Sequence, residues 1–189
     1  VALVAMSLAW SASAAIGGRL MIRTSYRTTV IVGSTLLIFG FTALYFHTPT
    51  NGLVWLSVAA TLVGAAMGFS HSTYIIAVQS SVEYQRRGIA TSTLYFSRML
   101  GQAVGAAIFG AIINAGLRAG PPGSPEMVEA MMDPARRIDI EPDALKKLID
   151  LLAGSLQNLY MVALALAIIV LILAIRVPRH LRPTDGRTA

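Results

Sequence analysis

Arg87-Gly-Ile-Ala-Thr91-Ser-Thr-Leu-Tyr95-Phe-Ser-Arg98-Met-Leu-Gly101-Gln102-Ala-Val-Gly105-Ala-Ala-Ile-Phe-Gly110 is a long run without an acidic residue in which one arginine interrupts an apolar background. A helix needs about 20 mostly apolar residues to cross the hydrocarbon core of a bilayer. This run and its continuation to Asn114 meet that length. Four more stretches read the same way, so that the spans lie at about 1–17, 28–46, 53–78, 89–114 and 156–175, and none of them contains Asp or Glu. The composition agrees. Of 189 residues, 55% are hydrophobic and 13% charged, against about 25% charged in soluble domains. The expected fold is therefore an all-α membrane protein with five transmembrane helices.

The charge distribution sets an orientation. The net charge is +6, but the cations sit in short clusters between apolar runs, as membrane topology signals do, and form no stripe interleaved with aromatics. A nucleic-acid partner is therefore not expected; the first partner is the lipid bilayer. Arg19, Arg23 and Arg27 follow span one, Arg86 and Arg87 follow span three, and Arg176, Arg179, Arg182 and Arg187 follow span five. The connection after span two, His47 to Gly52, has no Lys or Arg. Simple alternation puts every basic cluster on one side, which the positive-inside rule makes cytoplasmic. The tail, 176–189, is then cytoplasmic and the long connection 115–155 lies outside. That connection carries five basic and seven acidic residues.

The outer connection has structure signals of its own. Ser124-Pro125-Glu126 reads as an N-cap, a first-turn proline and a first-turn acid, opening a helix over 125–132. A second start lies at Glu141-Pro142-Asp143, after which Leu145, Leu148, Ile149 and Leu152 share one face at helical spacing. This amphipathic helix is expected to run on into span five and to lie at the membrane surface. Residue 1 is Val and already lies in an apolar run, so the chain reads as part of a longer protein. Ala12-Ser13-Ala14 resembles a signal-peptidase site, but no basic region precedes it, and a shortened span is the better account.

Several residues within the spans can carry function. On a 100° wheel, Thr91, Tyr95, Arg98, Gln102 and Gly105 fall within about 80°. Arg98 lies ten residues past Gly88, about 15 Å into the helix, where a cation must face protein or water. Its candidate partners are a helix outside this sequence, a carbonyl or a substrate anion. Gly64, Gly68, His71 and Ile75 share a face of span three. His71 reads either as a cavity group that titrates or touches substrate, or as a hydrogen-bonded histidine between helices. Gly101-x-x-x-Gly105 and the Gly64/Gly68 pair have the small-residue spacing of close helix packing. Gly68-Phe-Ser70-His71 contains a Gly-x-Ser pattern, yet adjacent helical residues point about 100° apart, so His71 is a poor base for Ser70. No phosphate loop, His-Glu-x-x-His or Cys/His cluster is present, Cys is absent altogether, and the reading calls for no enzyme chemistry, metal or cofactor.

The run from Arg87 through Arg98, Gly101, Gly105 and Gly110 resembles the penultimate helix of drug:proton antiporters of the major facilitator superfamily, in the fourteen-helix branch. The order of spans, the long outer loop before the last helix and the basic tail are similar to that branch's last five helices. Gly18-Arg-Leu20-Met-Ile22-Arg23-Thr-Ser25-Tyr-Arg27 resembles a degenerate copy of the superfamily's cytoplasmic loop motif. Gly18, Leu20, Arg23 and Arg27 match it, whereas Ile22 stands at the Asp position and Ser25 at the second Gly. The resemblance implies five helices of a C-terminal bundle, alternating access around a central cavity, and proton-driven export of small amphipaths from a bacterial cytoplasmic membrane. It also implies N-terminal helices of the same chain that carry the coupling acids. Arg98, Gln102, Tyr95 and His71 are the candidate residues of the substrate path. Other readings are a permease of another superfamily and a structural membrane subunit without transport. Because the chain lacks cysteine, single cysteines at Thr50 and Ala135 are expected to react with an impermeant thiol reagent added outside intact cells, and one at Arg87 is not. The reverse pattern overturns the orientation.

Overall fold

A computed structural model of the chain describes residues 1–48, 52–120, 128 and 142–176. It contains α1 (Ala2–Arg23), α2 (Tyr26–Tyr45), α3 (Gly52–Ser80), a single 3-10 turn (Tyr84–Arg86), α4 (Arg87–Arg118) and α5 (Pro142–Arg176). The described residues form no strand, and all five long helices are long and apolar enough to cross a membrane. They fall into two compact units. One joins Val1–Met99 to the part of α5 from Ala163 onward, and the other is Leu100–Val162.

Each helix extends past its expected span at one end or both. α1 continues through Gly18, Leu20 and Arg23, so that only Thr24 and Ser25 separate it from α2 and most of the motif-like segment is helical. These two residues cap both neighbours. Thr24 donates from its backbone N and its Oγ1 to the Leu20 carbonyl, at 2.9 and 2.8 Å. Ser25 is extended, and its Oγ accepts from the Thr28 backbone N at 3.2 Å, the usual service of a serine N-cap. Ser25 thus has a local capping role. α5 runs unbroken from Pro142, so the amphipathic lead-in and the apolar segment are one helix. The expected 125–132 helix, residues 49–51 of the outer turn and the tail from 177 lie outside the described residues.

In the first unit α3 is the central helix, packed along both α1 and α2. Glycines set the approach. A Cβ on Gly64 would strike the Met6 backbone, and one on Gly68 would strike Ser13 Oγ and the Trp10 carbonyl. On α2 the roles reverse. A Cβ on Gly33 would lie 2.7 Å from Ser70 Oγ and 3.2 Å from the Ala66 carbonyl, and one on Gly40 would lie 2.7 Å from Val63 Cγ2. Two α3 glycines therefore admit α1, and two α2 glycines admit α3. Lipid supplies no hydrophobic drive between helices, so this close van der Waals packing is what holds them together.

Hydrogen bonds place the ends. Tyr26 Oη donates to Ser80 Oγ at 3.2 Å, and Trp55 Nε1 donates to the Ala43 carbonyl at 2.8 Å. The first brings the Arg19–Arg27 segment to the same end as Arg86 and Arg87. The second closes the opposite end. The buried hydroxyls of Ser13, Thr29, Ser34, Thr73 and Ser155 each donate to a carbonyl of their own helix four residues back. Each of these five hydroxyl protons is thereby satisfied within its own helix. In the second unit, Gly116 of α4 lies against Ser155 of α5, and Leu117 and Leu148 are buried.

A Cβ at Gly101 or Gly105 would meet nothing within 4 Å. Gly64→Val or Gly68→Val is expected to cost about 1–3 kcal/mol by overpacking, whereas Gly101→Ala should be neutral or stabilising by up to about 1 kcal/mol. Unfolding midpoints of the purified variants in detergent check the contrast, and equal losses at all three positions would refute it.

Candidate functional site

The two polar residues singled out on separate spans meet. Arg98 Nη1 of α4 donates to His71 Nδ1 of α3 at 2.7 Å. Both side chains are half-buried. The arginine thus finds a neutral imidazole within this chain, a partner not among the expected helix outside this sequence, carbonyl or substrate anion. Among the described residues no carboxylate lies on the walls of this cavity. The polarity of the bond follows from valence. A guanidinium has five N–H donors and no acceptor, so Nδ1 must present its lone pair. The imidazole is then neutral, with its proton on Nε2.

The pair opens on a cavity of about 220 Å³ lined by Trp10, Met67, Ser70, His71, Tyr74, Ile75, Leu94, Tyr95 and Arg98. Trp10 comes from the middle of α1 and stands edge-on to His71, with ring centroids 6.2 Å apart at 80°. Tyr74 and Tyr95 are 39% and 43% exposed, so their rings supply wall without being locked into the core. An apolar, aromatic cavity with a few convergent polar groups has the general make-up of a small-molecule site. A second, open groove of about 650 Å³ follows α4 from Arg87 to Met99 and is bordered by Gln79. Gln79 Nε2 donates to Thr91 Oγ1 at 3.4 Å, and the Arg87 guanidinium stands 5.5 Å above the Tyr84 ring. Tyr95 borders both spaces.

Of the four candidates, His71, Arg98 and Tyr95 share the first cavity. Gln102 lies in the second unit, where its side chain is exposed. Gly64 and Gly68 sit on the α1–α3 interface; Gly18, Leu20 and Arg23 occupy the last turns of α1, and Arg27 the first turn of α2. Ser70 Oγ faces Gly33 of α2 while His71 reaches α4, so the two do not form a nucleophile and its base. Among the described residues no three His, Asp or Glu side chains converge on a possible metal site. Trp10, Tyr74 and Met67 were not marked by sequence. Trp10 did carry a signal, because tryptophan in spans favours the interfaces and this one lies mid-helix.

No family model matches the chain, and no solved structure matches it. Over 95 residues, half of the chain, it is 33% identical to Multidrug resistance protein 3 of Bacillus subtilis (strain 168). That stretch covers 19% of the relative, so the chain spans only a small part of its length.

Replacing His71 tests the pair directly. His71→Leu strands a guanidinium donor and is expected to lower stability by about 1.5–3 kcal/mol, the range for a hydrogen bond to a charged group. His71→Gln, whose carbonyl can still accept, should lose less than half of that. Unfolding midpoints in detergent distinguish the two, and equal losses would mean that the bond is not the source.

Proposed function

We propose that the chain is part of a secondary active transporter that exports small amphipathic compounds by alternating access. The similarity to a multidrug resistance protein carries this reading. The five membrane-length helices and the aromatic cavity beside Arg98 support it. In this reading the chain is a C-terminal portion of a major-facilitator protein of the fourteen-helix branch, in a bacterial cytoplasmic membrane with the basic helix ends on the cytoplasmic side. Protons drive export, and the coupling acids belong to N-terminal helices of the same protein, since the span centres of this chain have none.

Within the path, Trp10, Tyr74 and Tyr95 offer flat apolar surface to an aromatic or aliphatic substrate. Arg98 uses one guanidinium nitrogen on His71 and keeps others for a polar substrate group. Gln102 extends the polar stripe one turn along α4. Tyrosine and tryptophan walls hold many shapes through dispersion and edge contacts, which suits a broad substrate range better than a hydrogen-bond lock does.

Cells or everted vesicles that carry the full-length protein are expected to move a lipophilic dye against its gradient, and a protonophore should abolish that flux. Arg98→Ala should reduce flux at least about tenfold, equivalent to about 1.4 kcal/mol of lost transition-state or substrate interaction. No flux from the wild-type protein would refute the transport reading. Unchanged flux in Arg98→Ala would remove Arg98 from the path.

A further inference from the structure

We infer that Nδ1 of His71 is a proton-binding site within the membrane-spanning region, and that a proton there and the hydrogen bond from Arg98 exclude each other. This goes beyond the transport reading, in which the coupling acids lie elsewhere, and it stands on geometry rather than on any substrate. Arg98 Nη1 is 2.7 Å from Nδ1. Because the guanidinium only donates, this distance requires an unprotonated Nδ1. Adding a proton there leaves two donors and two positive charges in contact. The bond cannot persist, and Arg98 must turn away.

The surroundings let the proton arrive and let the arginine move. The pair borders the 220 Å³ cavity, so there is space beside it. Among the described residues no carboxylate lines the cavity beside His71 to hold an imidazolium in place. From α4 it faces Arg98 and Tyr95, from its own helix Tyr74, and from α1 the uncharged Trp10. Of the charged and titratable side chains of α1 and α2, Arg23, Tyr26, Arg27 and Tyr45 sit in terminal turns and Arg19 lies one turn before the end of α1; Arg176 is in the last turn of α5. An imidazole is the one side chain in this cavity whose ordinary titration falls between pH 5 and 8. The chemistry is a single protonation with no co-reactant. The proton binds the Nδ1 lone pair, Nε2 keeps its own, and the released guanidinium is free to donate into the cavity.

Trp10 is a built-in reporter, since its ring stands edge-on to His71 and an imidazolium quenches indole emission more strongly than a neutral imidazole. Within this sequence the other tryptophan is Trp55, at the start of α3 and bonded to Ala43, and the difference between wild type and Trp10→Phe isolates the Trp10 emission in the full-length protein. Tryptophan emission of the full-length protein in lipid nanodiscs would be titrated from pH 8 to pH 5, alongside Trp10→Phe and His71→Gln. The expected result is an acid quench that is larger in the wild type than in either variant, both variants losing the same component. A His71→Gln quench as large as the wild type's, or the lack of any component that Trp10→Phe removes, overturns the inference. Should His71→Gln fail to fold, Arg98→Leu provides the second arm. Loss of the neighbouring cation should shift the midpoint of the Trp10 quench by about one pH unit or more, and an unchanged midpoint overturns the link between proton and arginine. None of these readouts involves transport, so their failure and the failure of the transport reading are separate events.

Discussion

The distance between helix backbones at α3 governs the rest of the first unit. Gly64 and Gly68 let α1 in, while Gly33 and Gly40 let α3 reach α2. In lipid, apolar side chains gain little by leaving one hydrocarbon surface for another, so adhesion depends on how many atoms come within van der Waals range. Close backbone approach is how small residues achieve that. It also fixes where longer side chains reach. With α1 held tightly at Gly68, the Trp10 ring is delivered to the edge of His71, one turn further along α3. The cavity is thus a product of the glycine packing as much as of the residues that line it.

The pair of Arg98 and His71 solves an electrostatic problem in an unusual currency. A cation at membrane depth is costly unless it is partnered or wet, and an acid is the obvious partner. A neutral imidazole instead satisfies one donor while leaving the full positive charge in place. The cavity therefore stays electropositive, and the remaining guanidinium hydrogens stay available. An Asp or Glu at position 71 would give a stronger bond and a neutral pair, which would hold the arginine far more firmly.

The architecture was legible in the sequence because its signals are long. Runs of apolar residues without acids, separated by clustered arginines, define helices by length alone, and all five appear. Boundaries were less legible. α1 runs through Gly18 and Leu20 to Arg23, because nothing in that segment breaks a helix and the true stop is the Thr24–Ser25 capping pair. The polar residues of the site were visible singly, since Arg98 stands out on an apolar helix and His71 lies on the Gly64–Gly68 face. Their meeting was not, because it depends on the rotation of α4 about its own axis, which no one-dimensional pattern records. Gln102 shares the helical stripe with Arg98, yet its side chain is exposed. The apolar and aromatic walls were hidden for a different reason. Tyrosines and methionines are ordinary in such helices, and only packing reveals which ones border empty space.

The serines and threonines buried between these helices spend their hydroxyl protons on their own helix, four residues back. Consequently much of the α1–α3 and α2–α3 contact is directionless. It consists of glycine surfaces and self-satisfied hydroxyls, with interhelical hydrogen bonds such as Tyr26–Ser80 and Trp55–Ala43 near the helix ends. A seam of that kind keeps its register by shape in the middle, where only glycines fit against the facing backbone, and by hydrogen bonds at the ends. Loss of one end bond would therefore leave the middle of the packing in register, because glycine fit rather than polar pairing aligns it there.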